Sequence, residues 1–328
     1  MIDLSRHPCV ICKQTRSDIL HHTTYPEYHY LGQFTMRRCN GCGLLFNSPR
    51  LGLEELGQLY GQNYYFFLRK DSREFNRIVK MYQRTVGLLN ETQTSIKRSI
   101  DIGCGRGYFP AVLNKLGWKA SGIEISPDAA QYAQSKFGVN VFNGTVEQYT
   151  ASMSQEQFPL VTAIDVIEHV PSPDDFIQCA ASLVEPGGRL IIDTPNAAAA
   201  NIKSQGVLWK GFNPFHIYLF SIDNLTSLLS RHGLSVEQSF SYGNAPAFKG
   251  LRETTIALLK KFNLLSSVMG IYFGAKKLAR SKGSPDSHLE EAVLKIKSEP
   301  IYSVGEDATK RFSQNKTGDN IVIIARKS

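Results

Sequence analysis

Two cysteine pairs open the chain. Cys9-Val-Ile-Cys12 and Cys39-Asn-Gly-Cys42 each set two thiols across one tight turn, and 26 residues separate the turns. Two thiolates at this spacing chelate one ion, and a second pair completes the tetrahedron that zinc prefers. Four thiolates close the coordination sphere, so the expected zinc is structural, with no position left for water or substrate. Gly41 and Gly43 flank Cys42 and let the backbone wrap close to the metal. His7, His21 and His22 lie close in sequence, but a four-thiolate site needs none of them. The stretch between the pairs, with Tyr25, Tyr28, Tyr30 and Phe34, reads as short strands, which predicts a zinc ribbon over residues 1–50. Paired cysteines behind an N-terminus without an apolar leader (MIDLSRHPC) are read as metal ligands in reducing cytoplasm, not as disulfides.

A second set of residues points to a nucleoside ligand. Asp101-Ile-Gly103-Cys104-Gly105-Arg106-Gly107 follows an apolar run, and Glu124 closes the next run 23 residues after Asp101. Glycines at a strand-to-helix turn let a ligand approach the backbone. A carboxylate two residues before the first glycine would oppose a pyrophosphate and suits a ligand that presents an ammonium group. An acid at the end of the second strand accepts both ribose hydroxyls. A ribose at one end and an amino acid at the other describe S-adenosylmethionine. The competing structural reading makes Asp101 a helix cap. A third set, Asp165, Glu168, His169 and His216, supplies carboxylates and imidazoles, and an imidazole is the most suitable unperturbed base near neutral pH.

These residues need a scaffold. From Ser99 onward apolar strands alternate with helices, the pattern of a parallel sheet covered on both faces. Strands are expected at 99–102, 120–125, 139–142, 160–164, 189–193, 234–240 and 320–325, and helices near 108–117, 127–137, 173–184 and 222–232. The predicted organisation is a ribbon (1–50), a helical lid or linker (51–96), a core (97–244), a helical insertion (245–318) and a last core strand (319–328). In the second segment Phe75, Ile78, Val79, Tyr82, Val86 and Leu89 share one helical face, and the preceding run of tyrosines can cover a bound cofactor or simply pack on the core.

Five segments in order, IDIGCGRGYF (100–109), GIEIS (122–126), NGTVE (143–147), DVIEHVPSP (165–173) and EPGGRLIIDTPN (185–196), resemble the class I S-adenosylmethionine-dependent methyltransferases. The resemblance is to the bacterial branch of ubiquinone-pathway and sugar methyltransferases. The ribbon followed by CGLLFNSPR is also similar to zinc-ribbon enzymes that modify sugars. It implies an α/β fold with a Rossmann-like seven-stranded sheet, mostly parallel with the last strand antiparallel, behind an N-terminal zinc ribbon. It implies cofactor contacts at Asp101, Gly103, Cys104, Gly105, Glu124, Ile125, Gly144, Thr145, Val146 and Asp165. Thr145 stands where many relatives carry Asp, so backbone contacts from Val146 can take over the adenine contact. Cys104 reads as a small neutral spacer in the glycine loop. Residues after the fourth and fifth strands would flank the transferable methyl, making Glu168, His169 and His216 the catalytic candidates. The alternative for His169 is that Glu-His only orients its loop.

Charge narrows the partners. The chain carries 37 basic and 29 acidic residues, a net charge of +8. By segment it is 12 against 8 over 1–96, 10 against 13 over 97–244 and 15 against 8 over 245–328, so the core is acidic and the ends are basic. A uniformly basic nucleic-acid binder would not be acidic across its middle. DNA is not expected, because DVIEH replaces the Asn/Asp-Pro-Pro-aromatic loop of enzymes that methylate base amines. RNA is disfavoured because the ribbon has Arg37 and Arg38 but no basic run interleaved with aromatics. Residues 249–282 hold eight basic groups and one acid around an apolar helical face (Leu258, Phe262, Leu265, Met269, Tyr272). That profile fits a helix covering substrate, a helix lying on the inner face of a membrane, or a dimer helix. The expected function is methyl transfer to a small polar acceptor, first a sugar or nucleotide-sugar hydroxyl or carbon. A lipid-linked or quinone-like acceptor and then an RNA follow. The non-enzyme alternative is a ribbon binding module on a degenerate cofactor fold.

Overall fold

The computed structural model describes residues 2–25, 30–52, 54–56, 97–152, 156–243 and 316–328. Most of the expected lid (57–96) and nearly all of the expected insertion (244–315) lie outside the described residues.

The N-terminal segment forms β1 (Ser17–Tyr25), β2 (Tyr30–Cys39) and β3 (Leu45–Ser48), paired antiparallel in that order. Phe34, Met36 and Leu45 are buried. All four residues of β3 are buried, because core elements cover the side away from the ribbon.

The core begins with β4 (Arg98–Ile102), α1 (Tyr108–Lys115), β5 (Lys119–Glu124), α2 (Pro127–Phe137), β6 (Asn140–Asn143) and α3 (Val146–Ser152). It continues through β7 (Phe158–Ile164), α4 (Pro173–Leu183), β8 (Val184–Pro195), α5 (Ala200–Gln205), β9 (Tyr218–Leu219), α6 (Ile222–Ser230), β10 (Leu234–Tyr242) and β11 (Asn320–Lys327). Seven strands make one sheet in the order β10-β11-β8-β7-β4-β5-β6. β11 runs antiparallel to both neighbours, and β8, β7, β4, β5 and β6 are mutually parallel. This is the sheet expected from the sequence, with the last strand reversed. Continuous apolar runs such as Val161, Ala163, Leu190, Ile191, Ile192, Ile321 and Ile323 are fully buried because helices cover both faces.

Local signals set the helix ends. Ser126 accepts from the Ala129 N–H with Pro127 behind it, and Gly138 ends α2 in the left-handed region. Ser221 and Asn224 close a reciprocal capping box on α6. The chain order reverses between β4 and β7, where parallel folds open a crevice at the strand C-termini. β9 does not join this sheet. It pairs antiparallel with β3, Leu45 opposite Leu219 and Phe46 opposite Tyr218, and so completes the ribbon sheet as its fourth strand.

Candidate active site and thiolate cluster

The crevice at the ends of β4 and β5 collects the expected cofactor residues. Register puts Asp101 of β4 beside Thr162 of β7, and the Thr162 hydroxyl donates to Asp101 Oδ1 at 2.6 Å. Asp101 is buried, not exposed as a cap would be, and no side chain caps α1, whose N-cap is Gly107. Burial pushes the Asp101 carboxyl up to about 7, against the Thr162 hydrogen bond, and the nearby Glu124 charge adds to the rise. Glu124 accepts from the Gly105 N–H through Oε2 and from the Ser126 N–H through Oε1, both at 2.8 Å. Burial still raises it above the usual carboxylate range. Both acids therefore stand ready to gain from a polar or cationic ligand.

Glycine is required where the loops meet. Gly103 has φ +71, and a Cβ there would stand 2.6 Å from Val166 Cγ2, so the glycine loop lies directly against the segment after β7. Cys104 is buried and its thiol is raised well above the ordinary value by burial and then by the Asp101 and Glu124 charges, which suits a neutral spacer. Ile125 is 63% exposed. The Gly144 N–H donates to the Glu124 carbonyl. Thr145 caps α3, its Oγ1 accepting from the Gln148 N–H while its own N–H donates to Gln148 Oε1. Val146 is buried at the start of α3.

The segment after β7 brings the catalytic candidates together. Asp165 takes φ 54, unusual for a residue with a Cβ, and its N–H donates to the Asp193 carbonyl. Glu168 is 0% exposed; Thr194 donates to its Oε2 at 2.8 Å, while Oε1 has no hydrogen-bond partner among the described residues and lies 3.6 Å from His169 Nε2. Burial, and then the Asp165 charge, raise the Glu168 carboxyl well above the usual range. His169 Nδ1–H donates to the Phe215 carbonyl at 3.0 Å, and burial pulls the imidazole down to about 4. Burial thus favours the uncharged forms of both partners: a protonated carboxyl and a neutral imidazole with its lone pair on Nε2. The His216 ring stands 4.8 Å from that of His169, centroid to centroid. Its Nδ1–H donates to the Gly211 carbonyl at 2.8 Å, and its Nε2 lies 3.1 Å from Asn213 Nδ2, which donates to it. Glu168, His169 and His216 each offer a ligand atom within 4.8 Å of the others, a carboxylate–imidazole set that can hold a divalent cation. A cation on His216 Nε2 would have to displace Asn213.

Asn196, at the end of the EPGGRLIIDTPN segment, has its side chain committed to backbone groups. Its Nδ2 donates to the Lys316 and Gly318 carbonyls and its Oδ1 accepts from the Ala198 N–H. Sequence reasoning missed Thr162, Thr194 and Asn213, which orient Asp101, Glu168 and His216. Asn213 had a visible signal, an Asn ahead of Pro-Phe-His, since Asn hydrogen-bonds backbone a few residues on; here Oδ1 accepts from the Phe215 and His216 N–H groups. A lone Thr inside a strand carries no comparable signal.

The four N-terminal cysteines meet as expected. Cys9 and Cys42 sulfurs are 3.6 Å apart, Cys12 and Cys39 sulfurs 3.4 Å, and all four lie within 4.8 Å of one another. A tetrahedron with zinc–sulfur bonds of about 2.3 Å has sulfur–sulfur edges of about 3.8 Å, so the cluster fits such an ion. Each turn has the same form: Lys13 donates to the Cys9 carbonyl and Gly43 to the Cys39 carbonyl, both in the left-handed region. A Cβ on Gly41 would stand 2.8 Å from Cys12 Sγ. Burial pushes the Cys9 and Cys42 thiols up, a cost that a dication at the centre cancels.

A parallel sheet with one reversed strand, a glycine turn after its first core strand and acids closing the next define a class of nucleoside-binding transferases. A family profile described as Methyltransferase domain matches residues 71–239, just over half of the chain, and the chain belongs to that family. The ubiquinone biosynthesis O-methyltransferase of Burkholderia orbicola is 34% identical over 112 residues, covering 33% of this chain and 47% of that protein. Its counterpart in Salmonella enteritidis is 28% identical over 130 residues, covering 38% and 53%. The chain thus spans about half the length of the curated relatives it matches. A solved SAM-dependent methyltransferase from Archaeoglobus fulgidus superposes with a TM-score of 0.51 at 18% identity, over 80% of this chain and all of that one, which is a likeness of fold. Among the described residues no helix is long and apolar enough to cross a membrane.

Proposed function

We propose that the chain transfers a methyl group from S-adenosylmethionine to a hydroxyl of a small acceptor. The observation that carries this reading is the neutral His169 imidazole, its Nε2 lone pair beside a buried acid, on the loop packed against Gly103. S-adenosylmethionine supplies an activated methyl on its sulfonium. Asp101 faces the ammonium end and Glu124 the ribose, while Glu168 and His169 face the acceptor. The acceptor hydroxyl gives its proton to His169 Nε2 as its oxygen takes the methyl, and Glu168 Oε1 is the neighbouring oxygen that can accept from the Nε2–H that results. His216, whose Nε2 accepts from Asn213, orients the site and does not take the proton.

A phenolic hydroxyl, with a pKa of about 10 as in tyrosine, yields its proton to so weak an imidazole more readily than a sugar hydroxyl does. That argument favours a phenolic, quinone-precursor-like acceptor over a sugar, and the O-methyl chemistry named for the relatives supports the same order. A labelled-methyl transfer screen over phenolic, sugar and nucleotide-sugar acceptors tests it. Label in a phenol ether upholds the order, and label confined to a sugar reverses it. Absence of S-adenosylhomocysteine binding, together with no transfer to any acceptor, would return the protein to the binding-module reading. A second reading, cation-assisted transfer, rests on the Glu168–His169–His216 set. Chelator treatment followed by Mn²⁺ or Fe²⁺ separates the two, because a set of one carboxylate and two imidazoles takes such a transition metal while four thiolates select zinc. Four cysteines in one cluster also support a structural zinc.

The Asp101 carboxyl makes cofactor binding pH-dependent. Its raised pKa means that it is largely protonated below about pH 7 in the free protein and must lose that proton to face an ammonium group. S-adenosylhomocysteine affinity is expected to rise about tenfold per pH unit up to about pH 7 and then level off. Calorimetry across that range, with proton release read from buffers of different ionisation heat, checks it. An Asp101→Asn protein should bind weakly and without the slope.

A further inference from the structure

The ribbon reaches further into the core than a docked accessory would. β3 pairs with β9, and the ladder continues past the strand into the loop that carries His216: the Asn47 N–H donates to the Ile217 carbonyl at 2.9 Å. The Ile217 N–H in turn donates to the Glu168 carbonyl at 2.8 Å. A continuous backbone chain therefore runs from β3 through the loop to the acid beside His169. The Asn47 side chain adds a second tie, its Nδ2 donating to the Asn213 carbonyl at 3.2 Å. Asn213 is the residue whose own side chain holds the Phe215 and His216 N–H groups and His216 Nε2. Phe215, in turn, supplies the carbonyl that fixes the His169 tautomer. Asn47 and Asn213 are both almost wholly buried, at 1% and 4% exposure, so water does not substitute for these bonds.

We propose that Asn47 of the ribbon is a positioning residue for methyl transfer, holding the 211–217 loop so that both active-site imidazoles keep one tautomer and one orientation. The ribbon is then a structural wall of the acceptor site, coupled to it through β3. The inference rests on the reading of Glu168 and His169 as the acceptor end of the site, and its test does not depend on turnover alone.

Full-length protein with ¹⁵N-labelled histidine gives the decisive signal. In the wild type the His169 and His216 ring nitrogens are expected as a single Nδ1–H tautomer. In Asn47→Ala they should shift toward a tautomer average, with kcat lowered about 10- to 100-fold and S-adenosylhomocysteine affinity within about twofold of wild type. Ser48→Ala is the matched control. Ser48 is the next residue of β3 and similarly buried, but its hydroxyl donates to Asp3 and accepts from Leu4, away from the loop. It should leave the imidazole signals and kcat at wild-type values. Unchanged imidazole signals in Asn47→Ala overturn the proposal, as does a Ser48→Ala protein that reproduces both changes. If Asn47→Ala does not fold, Asn47→Ser, which keeps a shorter polar side chain, carries the same expectations. If His169 is no base, His169→Ala will leave turnover unchanged while Asn47→Ala still moves the imidazole signals, so the two readings fail separately.

Discussion

Replacing His169 with alanine is expected to lower kcat by about 10²–10⁴-fold, the usual contribution of a positioned base, with cofactor affinity unchanged. The physical basis is the tautomer. Nδ1–H is committed to the Phe215 carbonyl, so the lone pair of the neutral ring lies on Nε2, on the side of Glu168. Burial lowers the ring's pKa to about 4, which favours the neutral form that a base must have before the acceptor arrives. His169→Gln separates the chemistry from the architecture. A glutamine amide can still donate to the Phe215 carbonyl and keep the loop in place, but it has no basic nitrogen. Both variants should show the same loss of single-turnover rate with the same acceptor, together with a wild-type S-adenosylhomocysteine Kd. Wild-type turnover in His169→Ala removes His169 from the mechanism. A loss confined to His169→Ala, and absent in His169→Gln, assigns it to loop geometry instead.

Breaking the thiolate cluster should be as damaging as removing the base, by a different route. In a Cys12→Ser/Cys39→Ser protein a bound zinc would lose two of its four ligands. Structural zinc contributes on the order of 10–16 kcal/mol to domains of this kind, far more than the small hydrophobic interior of the ribbon supplies. The turns at Cys9 and Cys39 should open and β2 and β3 lose their register. The effect then spreads to the core. Asn224 of α6 donates to the Cys42 carbonyl at 3.0 Å, Arg231 donates to the Ile11 carbonyl, and β3 holds β9. The expected result is one zinc per chain in the wild type by elemental analysis and essentially none in the variant. Thermal unfolding should move to lower temperature, and kcat should fall at least as far as in Asn47→Ala. Cys179→Ser, which alters a lone thiol on α4, is the control and should keep metal and activity. A metal-free double variant with wild-type turnover would show that the ribbon is dispensable for catalysis.

How much of this was legible in the residues can be argued from particular places. The sheet was, because a strand buried on both faces must be apolar throughout and a helix on one face only must repeat at 3.6 residues. Expected strands at 120–125, 160–164 and 320–325 fall within a few residues of β5, β7 and β11. The ends were less clear: β8 begins at Val184, earlier than its apolar run, since Val184 pairs with Phe158 and Arg189 with Leu160, and the residues between bulge out of the ladder with Gly187 at φ 77. The two-residue β9 had no signal. Tyr218 and Leu219 form a strand only because β3 lies beside them, and that pairing joins residues more than 170 apart in the chain.

The sequence by itself determined the cysteine cluster, the glycine turn between Asp101 and Gly107, the acid at Glu124 and the order of the strands. Each follows from short-range spacing or from periodicity, which the chain carries locally. The tertiary structure alone decided which tautomer each imidazole takes. That depends on Phe215, Gly211 and Asn213 reaching the rings, through a loop whose shape is set by the ribbon strand and by Glu168. Hydrogen-bond partners drawn from three distant segments leave no pattern in any one of them, because the bonds form only once the segments are packed against one another.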